Sequence, residues 1–198
     1  MKVDIFNTDK KYNIIYADPP WNYGSRVYTA KTVNGRRGAF YSLEDYHYKT
    51  MSIDEIKRLP IKDISADNSI LFLWVTFPNL IEGLEVIKYW GFTYKTLGFS
   101  WIKTNKKDNR PFFGIGYYTK SNCEVCLIGI KGKPPKASNS VSSVVISPRE
   151  EHSKKPDEVR NKIVEFAGDI PRIELFARQH TDGWDCWGNE APDEQKVC

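Results

Sequence analysis

Apolar and polar positions follow two rhythms along this chain. Nearly unbroken apolar runs occupy 13–18, 69–76 ("SILFLWVT"), 94–103, 124–131 ("EVCLIGIK"), 143–147 and 172–178 ("RIELFAR"). Runs without alternation predict strands covered on both faces, and so a mostly parallel sheet between two outer layers. Helical spacing is found at Ile53–Leu59, Leu80–Trp90 and Pro156–Ala167. Ser52 and Glu55 form a capping-box pattern around the start of the first, with Ile53, Ile56 and Leu59 on one face. Gly91 and Gly168 are stop signals for the second and third. Pro156, Asp157 and Glu158 suit a first helical turn. Strands alternating with helices predict a three-layer α/β sandwich. No internal repeat or Gly/Ser linker divides the 198 residues, so a single domain over 1–198 is expected.

The connections at about 22–50, 104–122 and 132–155 are too long for simple turns, and long loops in a small domain often carry function. The first holds Tyr23, Arg26, Lys31, Arg36, Arg37 and Lys49. The second holds Lys106, Lys107, Arg110 and Lys120 among Phe112, Phe113, Tyr117 and Tyr118. Cations interleaved with flat rings suit a groove for unpaired nucleotides. The same composition also describes solvated loops with aromatic anchors, and both readings stand. The formal net charge of +4 permits a nucleic-acid partner without requiring one. No signal peptide precedes the first strand and no segment is apolar enough to span a membrane, so a cytoplasmic protein with reduced cysteines is expected.

The chemistry concentrates in "NIIYADPPWNYG", residues 13–24. Ligands of open α/β sheets bind beyond the carboxyl ends of strands, and Asp18 stands at such an end. Pro19 and Pro20 have no N–H and hold a stiff, extended path, which should leave their carbonyls free beside the carboxylate. A carboxylate and a carbonyl match the two N–H donors of an exocyclic amine such as adenine N6. Trp21 would wall or stack on the pocket. Two acceptors on an aryl amine favour a more tetrahedral nitrogen and turn its lone pair outward, where a methyl donor could lie in line. A strand that turns at Pro-Pro and buries a tryptophan is the plainer alternative.

"ADPPW" resembles the signature of the MT-A70 family of N6-adenine methyltransferases, typified by the catalytic subunit of the mRNA methyltransferase. "LFLWVT" at 71–76, "WIKTN" at 101–105, "CLIGIKG" at 126–132, "KPDE" at 155–158 and "IELFAR" at 173–178 are similar to further family segments, in order over nearly the whole chain. The resemblance implies a Rossmann-like S-adenosylmethionine-dependent fold with permuted motif order, catalytic motif first. It implies that Asp18, Pro19, Pro20 and Trp21 hold the target amine and that Lys155 binds the methionine carboxylate. Arg178 and His180 would lie near the ribose, and Asn189, Asp4 and Ile5 at the cofactor's adenine. Glu124 matches an acid near the target adenosine, and Tyr23, Arg36, Arg37 and Lys103 complete the candidate substrate contacts. Thr181 and Glu190 depart from the mRNA enzyme, which has asparagine and glutamine there.

A short chain without an added RNA-binding domain resembles bacterial or phage members, which points to DNA as substrate. RNA methylation and an inactive nucleic-acid-binding subunit are the alternatives, and a homodimer or a partner subunit is compatible with either. Cys123 and Cys126 have zinc-ligand spacing but no second close pair, so buried thiols are expected and no metal. His47 and His152 read as surface residues, and "HSKKP" by itself could be a solvated helix cap.

Overall fold

The computed structural model describes residues 1–22, 50–114, 118–150, 154–189 and 191. Seven strands form one sheet in the order β5-β3-β4-β2-β1-β6-β7. They are β1 (Tyr12–Ala17), β2 (Ser65–Val75), β3 (Thr93–Thr104), β4 (Cys123–Lys131), β5 (Val144–Pro148), β6 (Arg172–Leu175) and β7 (Asp185–Trp187). Helices α1 (Ile53–Lys57), α2 (Ile61–Ile64), α3 (Leu80–Tyr89) and α4 (Glu158–Ala167) complete the described fold.

Alternation along the strands divides the core in two. Ile15, Ala17, Leu71, Leu73, Val75, Val125, Leu127, Ile173 and Leu175 face α1–α3, meeting Ile56, Ile61, Ile64, Val86, Ile87 and Trp90. Ile14, Tyr16, Phe72, Trp74, Phe99, Trp101, Cys126 and Val145 face α4 through Val159, Ile163 and Ala167. Helices on both faces of the sheet give the expected three layers.

The sheet is mixed. β1 pairs parallel with β2 and β6, β6 with β7, and β3 with β5, but β4 runs antiparallel to both β2 and β3. Apolar runs report burial on two faces and are blind to strand direction.

Boundaries moved for local reasons. α1 carries the expected capping box, with the Glu55 amide donating to Ser52 Oγ and the Ser52 amide donating to Glu55 Oε2. It ends at Lys57 because Pro60 disfavours helical backbone at Leu59. α4 begins at Glu158, two residues later than expected, and the Asp157 carboxylate makes no capping bond. That carboxylate is engaged by Lys154 at 2.7 Å and Arg160 at 2.6 Å. Three-residue β7 is too short to leave a period in the sequence.

Arg160 clamps α4 onto the sheet. Its guanidinium grips Glu174 of β6 through Nε at 2.7 Å and Nη2 at 2.6 Å, and both side chains are buried. Burial pushes the Glu174 carboxyl up, and the arginine opposes that rise without cancelling it; for Arg160 the pairing outweighs burial and holds the guanidinium well above its ordinary range. Arg160→Ala strands the carboxylate and should cost about 3–5 kcal/mol in urea denaturation, whereas joint replacement with Arg160→Met and Glu174→Leu should recover most of it.

Candidate active site

β1 lies where the sheet's order reverses: the chain leaves it for β2 on one side and returns to β6 on the other. Such a switch point opens a crevice at the carboxyl ends of the strands. Asp18 directly follows β1 there. Because β4 is antiparallel, its amino end arrives at this same edge, with Val125 opposite Val75 of β2 and Glu124 opposite Trp101 of β3. The resulting cleft of about 660 Å³ is lined by Asp18, Pro19, Pro20, Trp21, Glu124 and Lys155 on one side. Phe6, Phe176, Arg178, Trp187, Gly188 and Asn189 line it as well.

Lys155 precedes α4 and reaches into the cleft with only 9 % of its side chain exposed. Its Nζ donates to Asp18 Oδ2 at 2.7 Å and pairs with Glu124 Oε2 at 3.2 Å. It also lies 5.5 Å from the centre of the Trp74 ring. Lys103, at the end of β3, donates to the other oxygen of Glu124, giving a line of alternating charges, Lys103–Glu124–Lys155–Asp18. Burial disfavours the charged ammonium of Lys155, but Asp18 and Glu124 together hold it well above the ordinary lysine range. Glu124 is buried too, yet Lys155 and Lys103 keep its carboxyl below the usual value. Burial raises the Asp18 carboxyl, and Lys155 opposes that rise without cancelling it.

The Pro-Pro step is stiff but its carbonyls are not free, contrary to expectation. Pro19 O accepts from the Trp21 amide at 2.8 Å, and Pro20 O from the Met51 amide at 2.9 Å. Imino acids donate nothing themselves, but neighbouring loop amides find their carbonyls; each oxygen keeps a second lone pair. Trp21 is a wall, 4 % exposed, with its indole N–H donating to Trp74 O at 3.0 Å.

The opposite wall is aromatic. Phe176 takes a left-handed backbone, φ 60°, which is uncommon for a bulky residue. It meets Trp187 edge-on at 5.3 Å, and Phe6 meets Trp187 at 6.2 Å. The Ala177 amide donates to Trp187 O at 2.9 Å, so the ends of β6 and β7 run against each other. A Cβ on Gly188 would lie 2.4 Å from Ala177 O, so only glycine fits.

The remaining predicted residues divide. Arg178 and Asn189 line the cleft. Asp4 and Asn189 share a shallower depression that continues from it past Trp187 and Gly188. The Ile5 side chain is buried in the core. His180 is half exposed and bonds the Met1 nitrogen at 2.9 Å, outside the residues that line the cleft. Tyr23, Arg36 and Arg37 lie outside the described residues, as do His47, His152 and Glu190. Cys126 is buried on the α4 side of the sheet, and burial pushes its thiol up. Phe6, Trp74, Phe176 and Trp187 were not singled out from sequence. Trp74 and Phe176 fall inside the segments "LFLWVT" and "IELFAR" with no role assigned to them, and Phe6 and Trp187 have no signal beyond an aromatic content, 14 %, shared with core positions.

Lys155→Met would leave Asp18 and Glu124 close together without their shared cation. Asp18 would then titrate still further above its unfolded value, while Glu124 keeps Lys103, so through Asp18 the folded state would bind more protons and lose stability as pH rises. The expected result is near wild-type stability at about pH 5 and a deficit of about 1–3 kcal/mol at about pH 8, read by urea denaturation. In the wild-type chain Glu124 acts in the opposite sense. Its depressed carboxyl contributes stability above the ordinary carboxylate range and loses it on acidification.

The sequence profile of the MT-A70 family matches residues 12–190. A type II methyltransferase, M.MunI of Mycoplasma sp, is 37% identical over 194 residues, covering 94% of this chain and 80% of the relative. The N(6)-adenosine-methyltransferase catalytic subunit METTL3 of Homo sapiens is 29% identical over 184 residues, 91% of this chain but 28% of the human protein. An Arabidopsis thaliana MT-A70-like N(6)-adenosine-methyltransferase is 29% identical over 192 residues, 24% of its length. With the carboxylate-and-proline step at a strand end and this breadth of match, the chain belongs to the MT-A70 family of methyltransferases.

Proposed function

We propose that this chain transfers the methyl group of S-adenosylmethionine to N6 of adenine in DNA. The observation that carries the reading is Asp18, fixed by Pro19 and Pro20 at the switch point of the sheet, with its carboxylate in the cleft 2.7 Å from Lys155. The cleft volume, about 660 Å³, is in the range that encloses small-molecule ligands. Its donor set suits this cofactor. Lys155 and Arg178 are cations for a methionine carboxylate, and Asn189 with Phe176 and Trp187 offers amide and ring contacts for an adenine. Bound there, S-adenosylmethionine would supply an electrophilic methyl on a sulfonium, ready for in-line displacement.

In this reading the protein's work is to present the nitrogen. Asp18 accepts one N6 hydrogen and the spare lone pair of a proline carbonyl accepts the other, which turns the nitrogen's lone pair toward the methyl. Lys155 holds Asp18 in place and favours its charged form. Trp21 and Trp74 close the wall behind it. As the N–C bond forms, the C–S bond breaks and its electron pair goes to sulfur. The methylated nitrogen is then strongly acidic, so Asp18 or water takes its proton without further activation. Burial, by raising Asp18, makes it the better acceptor of that proton. The adenine must leave its stack to reach the cleft, which favours single strands or flipped bases.

DNA is favoured because the chain covers 80% of a type II methyltransferase but about a quarter of the N(6)-adenosine-methyltransferases. RNA is the second reading, carried by those same N(6)-adenosine relatives. No described helix is long and apolar enough to cross a membrane. Incubation with labelled S-adenosylmethionine and matched DNA and RNA oligonucleotides should give N6-methyladenine in DNA, identified by mass. Asp18→Ala should retain the fold by circular dichroism and lose about 10²–10³-fold in turnover, as expected for removal of one preorganised acceptor. Label in cytosine, or a fully active Asp18→Ala, would overturn the proposal.

A further inference from the structure

Beyond the cleft, β3 continues into a hairpin. Thr104 bridges to Pro111, the Asn105 amide donates to Arg110 O at 2.9 Å, and Asn109 closes the turn with φ 53°. Phe112, which follows Pro111, is pinned to the site, since its amide donates to Lys103 O at 2.8 Å. Lys103 is the residue whose side chain holds Glu124 in the cleft. Phe112 is therefore one backbone contact from the active-site charges.

Arg149, in the segment that leads from β5 toward Lys155, lies flat on this ring. Its guanidinium carbon is 3.6 Å from the centre of Phe112, and its amide donates to Thr104 O at 3.3 Å. The side chain is exposed, and among the described residues no carboxylate is within ion-pair distance of it. Nearby charges are spoken for: Lys154 pairs with Glu150 and Asp157, and Arg110 with Asp108. Stacking uses the faces of a guanidinium and leaves its N–H edge outward, in the fork geometry that fits phosphate oxygens. It also fixes a side chain that would otherwise lose rotamer freedom on binding. Lys106 and Lys107, both exposed at the hairpin turn, add charge of the same sign.

We propose that Arg149, held on Phe112, is an anchor for a backbone phosphate of the DNA strand that flanks the target adenine. This rests on the nucleic-acid reading of the cleft above. Arg149 positions the strand and takes no part in methyl transfer.

The test is binding of an adenine-containing single-stranded DNA oligonucleotide, and its RNA counterpart, to the full chain with S-adenosylhomocysteine present. Fluorescence anisotropy would be read over a salt series. Loss of one phosphate contact should make the slope of log K against log salt shallower by about 0.7 in Arg149→Ala. DNA affinity should fall about 5–10-fold at moderate salt, and KM for the oligonucleotide should rise with kcat little changed. Arg149→Lys should keep the slope and lose part of the affinity, because charge survives without the stacked fork. Phe112→Leu should behave like Arg149→Lys. Calorimetric binding of S-adenosylhomocysteine should be the same in all variants.

An Arg149→Ala chain with an unchanged slope, whatever its stability, would reduce the stack to a loop brace and overturn the proposal. A wild-type chain that methylates DNA, together with such an unchanged slope, would overturn this inference alone. A wild-type chain that binds only the RNA counterpart would overturn the DNA reading beneath it.

Discussion

Lys155 sits between Asp18 and Glu124, nearly out of water, and brings together three parts of the chain that are far apart in sequence. Asp18 directly follows β1, Glu124 is the second residue of β4 and Lys155 precedes α4. Taking Lys155 and Glu124 out of water is costly unless each meets an opposite charge, and Asp18 is partly withdrawn from water as well. The arrangement is stable because each charge meets the opposite one, with Lys103 behind Glu124 to balance the second carboxylate. The cleft's shape and its protonation states therefore depend on the same contacts. A carboxylate in the cleft is held in place by a cation that the fold itself must bring there.

The topology explains how these residues meet. A purely parallel sheet would send the amino end of β4 to the far edge, away from β1. Running β4 antiparallel between β2 and β3 returns Glu124 to the carboxyl edge and places the end of β3, with Lys103, next to it. On the same face of the sheet, beyond β1, Arg160 and Glu174 hold the start of α4 against β6, so the segment that carries Lys155 has a fixed base. The two ion-pair groups divide the work: one fixes Asp18 and Glu124 in the cleft, and the other keeps α4 in register behind Lys155.

Much of this was legible in the residues. The continuous apolar runs located six strands and the helical spacing located three helices, because burial and period are local properties. Asp18 to Trp21 stood out because prolines at a strand end leave few structural options. Lys155 and Glu124 were identified by resemblance, but the contact of Lys155 with Asp18 was not, since 137 residues separate the two. Strand direction, the short β7 and the Arg160–Glu174 clamp were not legible. Each is decided by long-range pairing that leaves no periodic trace. The proline carbonyls were misread for a related reason: Pro20 O accepts from Met51, which the sequence places beyond a long loop.

The central claim is that Lys155 and Asp18 stabilise one another in the folded chain. A double-mutant cycle on folding free energy with Asp18→Asn, Lys155→Met and the combined variant measures this directly. A coupling of about 1–3 kcal/mol, with the double variant more stable than the sum of the single losses implies, is the expected result. Additivity within about 0.5 kcal/mol would contradict the account, because the two charges would then be independent neighbours.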